Sequence, residues 1–323
     1  MPGSASRPLN VWYMGDEQAH LGPEARSLAR ALSPGAQERS APARLGPLWL
    51  PRALDPLILR RAPGDRRFAP PWPDVLVSSG ARSERAATLA RRLVRDAMVT
   101  VHIHRPHRPA AFDLVVAMAD DAFDGPNVVH VDAVLHEIHP TGLAAAAAIG
   151  HRALSGLPHP WTGVVLGDAT RGQPFTVHDA HRLADQLDAF RTHIGGSLLI
   201  IPSEGTPSDI LVALSTRYAS DPRSFLAIGR DTYLPILAMA DHLVVASDSP
   251  LRLSEALATT ANIWVYEVAA GRAHARFVDH LLNKRLVARF GERAPPPRRL
   301  GVDPALAVSL RIRQIASDRA RAA

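Results

Sequence analysis

Short apolar runs recur along the chain, each closed by a polar turn and followed by a longer stretch with helical spacing. In the first half, residues 9–14 (LNVWYM), 46–50 (GPLWL), 74–79 (DVLVSS), 99–104 (VTVHIH), 113–118 (DLVVAM) and 127–131 (NVVHV) read as strands. Residues 23–32, 83–96 and 140–154 read as helices. A second series follows SGLPHPW, whose prolines and small residues place a linker at 155–161. Its strands are predicted at 162–167, 197–203, 224–229, 242–247 and 262–267, and its helices at 176–193, 206–219, 232–240 and 250–260. Strands that are apolar on both faces and separated by helices imply parallel sheets covered on both sides. The expected fold class is therefore α/β, with two Rossmann-like doubly wound domains facing a cleft. The expected domains are 1–157 and 158–290. The Pro/Arg loop and helix of 291–323 are expected to pack back on the first domain, through an apolar stripe of Leu306, Leu310, Ile312 and Ile315.

A length of 323 residues suits two domains, each able to bury a core. Hydrophobic residues make up 46% and charged ones 21%, and no run approaches the roughly 18 apolar residues of a membrane span. The opening residues lack the apolar core of a secretory signal, so the expected location is cytoplasmic, with at most peripheral association at the inner face of a membrane. The absence of cysteine excludes disulfides, zinc–thiolate sites, iron–sulfur clusters and thiol nucleophiles. Lys+Arg exceeds Asp+Glu by 37 − 31 = 6, yet Lys284 is the only lysine, and the arginines are scattered through helices instead of gathered with aromatic residues. No nucleic-acid partner is expected; part of the positive excess suits anionic substrates such as phosphates.

In open α/β sheets, ligands bind beyond the carboxyl ends of the strands, where helix N-termini converge. None of the strand-to-helix turns contains G-x-G-x-x-G, a phosphate loop with lysine, or a G-x-S-x-G elbow. Dinucleotide dehydrogenases, P-loop NTPases and α/β-hydrolases are thereby disfavoured. The turns of the second series offer Gly167, Thr170, Ser203, Ser247 and Ser249 to a donor diphosphate, and Arg230 to its charge. Ser247, Asp248 and Ser249 also suit plain helix capping ahead of Pro250. Glu255 lies close enough to that turn to accept hydrogen bonds from ribose hydroxyls. In the first turn, Asp16, Glu17 and His20 are candidates for a base that activates an acceptor hydroxyl. His102 and His104 share one face of a strand, but no third ligand completes a metal site.

Residues 73–93, 101–121, 125–148 and 233–267 together resemble the mitochondrial fission protein ELM1-like family, whose members are treated as glycosyltransferases of the two-Rossmann, GT-B type. The resemblance spans most of 9–290, and its most specific parts are GPNVV (125–129), LHEIHP (135–140) and the element Asp248, Ser249, Glu255, Ala256. It implies a GT-B fold and a nucleotide-sugar donor as substrate, with a glycan or lipid-linked acceptor. It also implies that no cofactor or metal is required, because helix dipoles and positive side chains stabilise the leaving diphosphate. The organelle-division role behind the family name is not carried over. Several loops depart from the family pattern. Only His20 matches the usual first turn, Asp168 follows Gly167 where a second glycine is usual, and Asp231-Thr232-Tyr233 replaces Asn-Pro-Tyr. The expected function is thus a nucleotide-sugar-dependent glycosyltransferase, with His20 and Asp16 catalytic. The alternatives are a non-catalytic, partner-binding scaffold that has lost the donor site, and a nucleotide-sugar epimerase.

Overall fold

The computed structural model describes residues 8–16, 22–41, 70–94, 97–167, 175–203, 205–227, 230–268, 272–292 and 300–322. The chain forms two units: Met1–Glu137 together with Pro304–Ala323, and Ile138–Asp303.

The first unit holds a parallel six-stranded sheet in the order β2 (Gln37–Glu38), β1 (Val11–Gly15), β3 (Val75–Ser79), β4 (Val99–Ile103), β5 (Leu114–Met118), β6 (Val128–Val131). Its helices are α1 (Gly22–Leu32), α2 (Ala81–Val94) and, from the far end of the chain, α9 (Pro304–Ala322). Alternation along the strands feeds two cores. Val11, Tyr13, Val75, Val77 and Val101 pack with Leu28 of α1 and Val308 and Ile312 of α9. Trp12, Met14 and Leu76 point the other way, onto Ala86, Leu89 and Ala90 of α2. The buried stripe of α9 is Ala305, Val308 and Ile312, with Ile315 beside them, while Leu306 and Leu310 are exposed. The expected stripe was therefore rotated, since Leu306 and Leu310 lie on the side of the helix away from the sheet.

Polar contacts pin α9 in place. Arg319 donates to Asp113 Oδ1 at 2.7 Å and to the Met98 carbonyl at 2.6 Å, and Arg313 donates to the Leu32 carbonyl. Asp113 also accepts from the Thr100 amide at 2.8 Å and pairs with Arg91 at 2.9 Å. Burial pushes the Asp113 carboxyl up, but the Arg319 and Thr100 hydrogen bonds and the two guanidinium charges outweigh it, leaving the pKa below the ordinary 3.8.

The second unit holds another parallel sheet, ordered β12 (Ala288–Arg289), β11 (Asn262–Tyr266), β10 (His242–Ala246), β7 (Trp161–Val165), β8 (Ser197–Ile201), β9 (Ser224–Leu226). Around it lie α3 (Pro140–Leu154), α4 (Val177–Ile194), α5 (Ser208–Tyr218), α6 (Arg230–Met239), α7 (Pro250–Leu257) and α8 (Arg272–Asn283). Val164, Leu198, Ile200, Val244 and Trp264 pack on Leu183 and Leu187 of α4 and Ile210 and Leu214 of α5. Thr176 caps α4 through a capping box with Asp179. Helix α3 packs on α6, and Gly150 is what allows it: a Cβ there would lie 2.5 Å from Pro235. The chain passes between units at Glu137–Ile138, so α3 belongs to the second unit. The SGLPHPW segment, expected as the linker, is instead a turn inside that unit, where Trp161 Nε1 donates to the Leu157 carbonyl at 3.0 Å and its amide to Asp241 at 2.8 Å. Among the described residues, no helix is long and apolar enough to cross a membrane.

Arg319→Ala should lower the stability of the first unit by about 1.5–3 kcal/mol at neutral pH, the worth of hydrogen bonds to a charged group. Urea unfolding followed against pH would check it. The contribution is present above the ordinary aspartate pKa of 3.8 and is lost as pH falls through the lower folded value, so the deficit should shrink in acid.

Candidate functional site

In the second unit the strand order reverses between β7 and β10, the place where open α/β sheets bind ligands at the carboxyl ends of their strands. Gly167 follows β7 and Asp248 follows β10, and the two meet. A Cβ on Gly167 would lie 2.3 Å from Asp248 Oδ2, so only glycine leaves room for this carboxylate, which is 5% exposed. The next turn closes on the same residue, with Thr206 donating to the Gly167 carbonyl at 2.9 Å and Ser203 at 3.3 Å. Ser247 Oγ accepts from the Val268 amide at 3.1 Å and so ties the ends of β10 and β11 together. Ser249 is the N-cap of α7, accepting from the Arg252 amide, with Pro250 in the first turn. Arg230 opens α6. Thr170, Asp168, Glu17 and His20 lie outside the described residues.

Glu255 is held by two neighbours. Its Oε2 accepts from the Tyr233 hydroxyl at 2.6 Å and from Arg252 Nη1 at 2.9 Å, and the Arg252 guanidinium lies 4.5 Å above the Tyr233 ring. Burial, together with the Glu255 charge, raises the Tyr233 pKa well above that of a free phenol, so the hydroxyl remains a donor. Only 13% of the Glu255 side chain is exposed, and Oε1 makes no hydrogen bond among the described residues. The result is an oriented carboxylate with one acceptor oxygen to offer. Sequence reasoning singled out Glu255 but missed Arg252; the signal was its place three residues ahead of the glutamate, on the same helix face.

In the first unit the strand order reverses between β1 and β3. Asp16 sits there, and its carboxylate accepts from the Arg82 amide at 2.9 Å and from the Ser83 amide and hydroxyl at 3.0 and 2.7 Å. Both oxygens thus cap α2, which leaves Asp16 poorly placed to take a proton from an acceptor. Gly80 makes this possible, with φ of 95° and a Cα against the Asp16 side chain. His102 and His104 part company. The strand ends at Ile103, and His104 takes a left-handed φ of 69° that breaks the alternation. His104 pairs with Glu24 of α1 at 2.7 Å, while His102 Nδ1 meets Ser78 Oγ at 2.9 Å on the α2 face. Burial pulls the His102 pKa down to about 4. Among the described residues no group of His, Asp and Glu could hold a metal ion.

A family profile described as "Mitochondrial fission ELM1" matches residues 23–314. The chain belongs to the ELM1 family. It is 24% identical over 220 residues to the "Mitochondrial fission protein ELM1" of Arabidopsis thaliana, a match that covers 60% of this chain and 51% of that protein. The chain thus spans about half the length of the curated ELM1 relative. Two solved structures share the fold. A UDP-GlcNAc 2-epimerase from Methanocaldococcus jannaschii is 11% identical with a TM-score of 0.50, covering 94% of this chain and 99% of that one. A protein assigned as a UDP-N-acetylglucosamine 2-epimerase from Listeria monocytogenes is 11% identical with a TM-score of 0.51, covering 98% of each chain. At such identity the likeness is one of fold: two Rossmann-like units, each a doubly wound parallel sheet, of the GT-B type.

Gly167→Ala should destabilise the second unit by about 1–3 kcal/mol, as overpacking does. In the Asp248→Ala background the same change should cost far less, because the obstructing carboxylate is gone. Thermal unfolding of the four proteins of this cycle checks the coupling; equal losses in both backgrounds would rule it out.

Proposed function

We propose that this ELM1-family protein is a nucleotide-sugar-dependent glycosyltransferase of GT-B type, with its donor site at the carboxyl edge of the second unit's sheet. The observation that carries this reading is Glu255. Two side chains fix its carboxylate next to the loop that begins α7, and one oxygen remains to accept from ribose hydroxyls. A ribose needs such an acceptor, since its hydroxyls are donors that lose water on binding. The diphosphate is assigned to the N-terminal end of α7 near Ser249, with the turns at Gly167 and Ser203 alongside. Arg230 supplies positive charge, and Ser247 acts indirectly by holding the loop. Chemistry of this kind proceeds without a bound metal when helix dipoles and cations stabilise the departing diphosphate. The fold supports the reading, as does the nucleotide-sugar substrate named for the epimerase that shares it. The acceptor is a glycan or a lipid-linked molecule met at a membrane surface.

One observation favours a second reading, a scaffold without donor chemistry. The buried Asp248 carboxylate at the strand reversal puts negative charge where a diphosphate would approach. Isothermal calorimetry with UDP, GDP, ADP and CMP separates the two. The glycosyltransferase reading expects one of them to bind, and Glu255→Ala to weaken it by about 10–100-fold, the loss of a charge-assisted hydrogen bond. Binding of none of the four would leave the scaffold. An epimerase would alter the sugar with no acceptor present, which product analysis reveals.

A further inference from the structure

The second unit has a cavity of about 340 Å³ at the carboxyl ends of β10, β11 and β12, near the small end of the range of about 300–1,000 Å³ for small-molecule sites. Its floor is apolar and buried, made by Val268, just after β11, and Val278 of α8. Its rim is charged. Arg289, at the end of β12, donates from Nε to Glu267 Oε1 at 2.7 Å, and its Nη2 lies 3.6 Å from Asp279 Oδ1 on α8. Among the described residues these three side chains make no further hydrogen bond, which leaves Glu267 Oε2, the Asp279 carboxylate and the Nη groups of Arg289 open to a ligand. All three are about half exposed, so their pairing adds little to stability.

The place of the cavity in the sheet says which part of a ligand it would meet. Ser247 lines it and stands two residues before the Ser249 cap, so at most about 7 Å of chain separates the cavity wall from the start of α7, the end assigned above to the diphosphate. Helix α6 packs on β7 and β8, α7 packs on β10, and α8 joins β11 to β12. In the sheet order α7 therefore stands between the other two, and it touches both. Glu255 turns toward α6, where Tyr233 holds it, while the cavity opens on the side of α8. A nucleotide sugar has the same order of parts, nucleoside, diphosphate, sugar. With the ribose on Glu255 and the diphosphate at Ser249, the sugar falls at the cavity.

The chemistry of the lining agrees. A pyranose carries hydroxyls that donate and accept around its edge, and C–H groups across its faces. The carboxylates accept from such hydroxyls, the guanidinium donates to them, and the two valines suit a C–H face. Two carboxylates against one guanidinium leave the rim with an excess of negative charge, which repels a sugar that bears its own carboxylate. We infer that this cavity is the sugar subsite of the donor site, and that Glu267, Asp279 and Arg289 select an uncharged hexose over a uronic acid. The inference rests on the donor reading above and adds to it the class of sugar.

Isothermal calorimetry tests this with whichever of UDP, GDP and ADP the protein binds, and with the glucose and glucuronic acid conjugates of that nucleotide. The glucose conjugate should bind more tightly than the bare nucleotide, and about tenfold more tightly than the glucuronic acid conjugate. Glu267→Gln and Asp279→Asn should each weaken the glucose conjugate by about tenfold, the loss of a hydrogen bond to a charged group, with the bare nucleotide unmoved. A glucose conjugate unaffected by both changes would overturn the inference, as would equal weakening of conjugate and bare nucleotide. So would glucuronic acid bound as well as glucose. Binding of CMP alone would overturn it too, because that nucleotide has no diphosphate to reach from the ribose to the cavity. Binding of none of the four nucleotides would instead defeat the functional reading, and the inference with it.

Discussion

At the place where each sheet reverses its strand order, an aspartate carboxylate presses against the Cα of a glycine, Asp16 on Gly80 in the first unit and Asp248 on Gly167 in the second. A parallel sheet flanked by helices gathers helix N-termini at one edge, and their first amides need acceptors. This chain supplies one itself. Asp16 closes the start of α2 and fixes β1 to β3, which in turn sets where Glu84 emerges in the same first turn of the helix. Asp248 precedes the Ser249 cap of α7 and so fixes the approach to the helix that carries Arg252 and Glu255. The functional side chains therefore stand on helices whose first turns are braced by the chain's own polar groups, and a ligand of either edge has to work around a resident negative charge.

Much of this was legible in the residues because the strands alternate cleanly. Val11 and Tyr13 against Trp12 and Met14 already state that two layers of helix cover β1. Other parts were not. The two-residue strands Gln37–Glu38 and Ala288–Arg289 are too short to show any period. Helix α3 reads PTGLAAAAAIGHRAL, apolar around most of its circumference, so nothing in its pattern says which sheet it covers. The one pointer was Gly150, whose missing side chain marks close approach to another element. In the site, Glu255 stood out as a lone acid on an apolar helix, but the Tyr233 contact joins residues 22 apart and depends on packing between α6 and α7. His104 misled because spacing along a strand predicts a shared face only while the strand continues, and one left-handed residue ends that rule.

The arginines show why net charge alone said little. Arg319, Arg313 and Arg91 anchor helices to strands, and Arg252 orients a carboxylate, so these cations are structural parts of the fold. Arg105 and Arg108, in the loop after β4, form no ion pair among the described residues, and Arg105 lies over the Phe123 ring.

Helix α9 completes the core of the first unit although the chain reaches it only after the whole of the second. During synthesis, then, the order of completion is inverted with respect to the order of emergence. The second unit has all its strands and helices outside the ribosome while the first still lacks Val308, Ile312 and the Arg319 anchor. Until those residues arrive, the face of the first sheet beneath α9 stays open to water or to a chaperone, and the second unit acts as a long tether between the two halves of its neighbour's core.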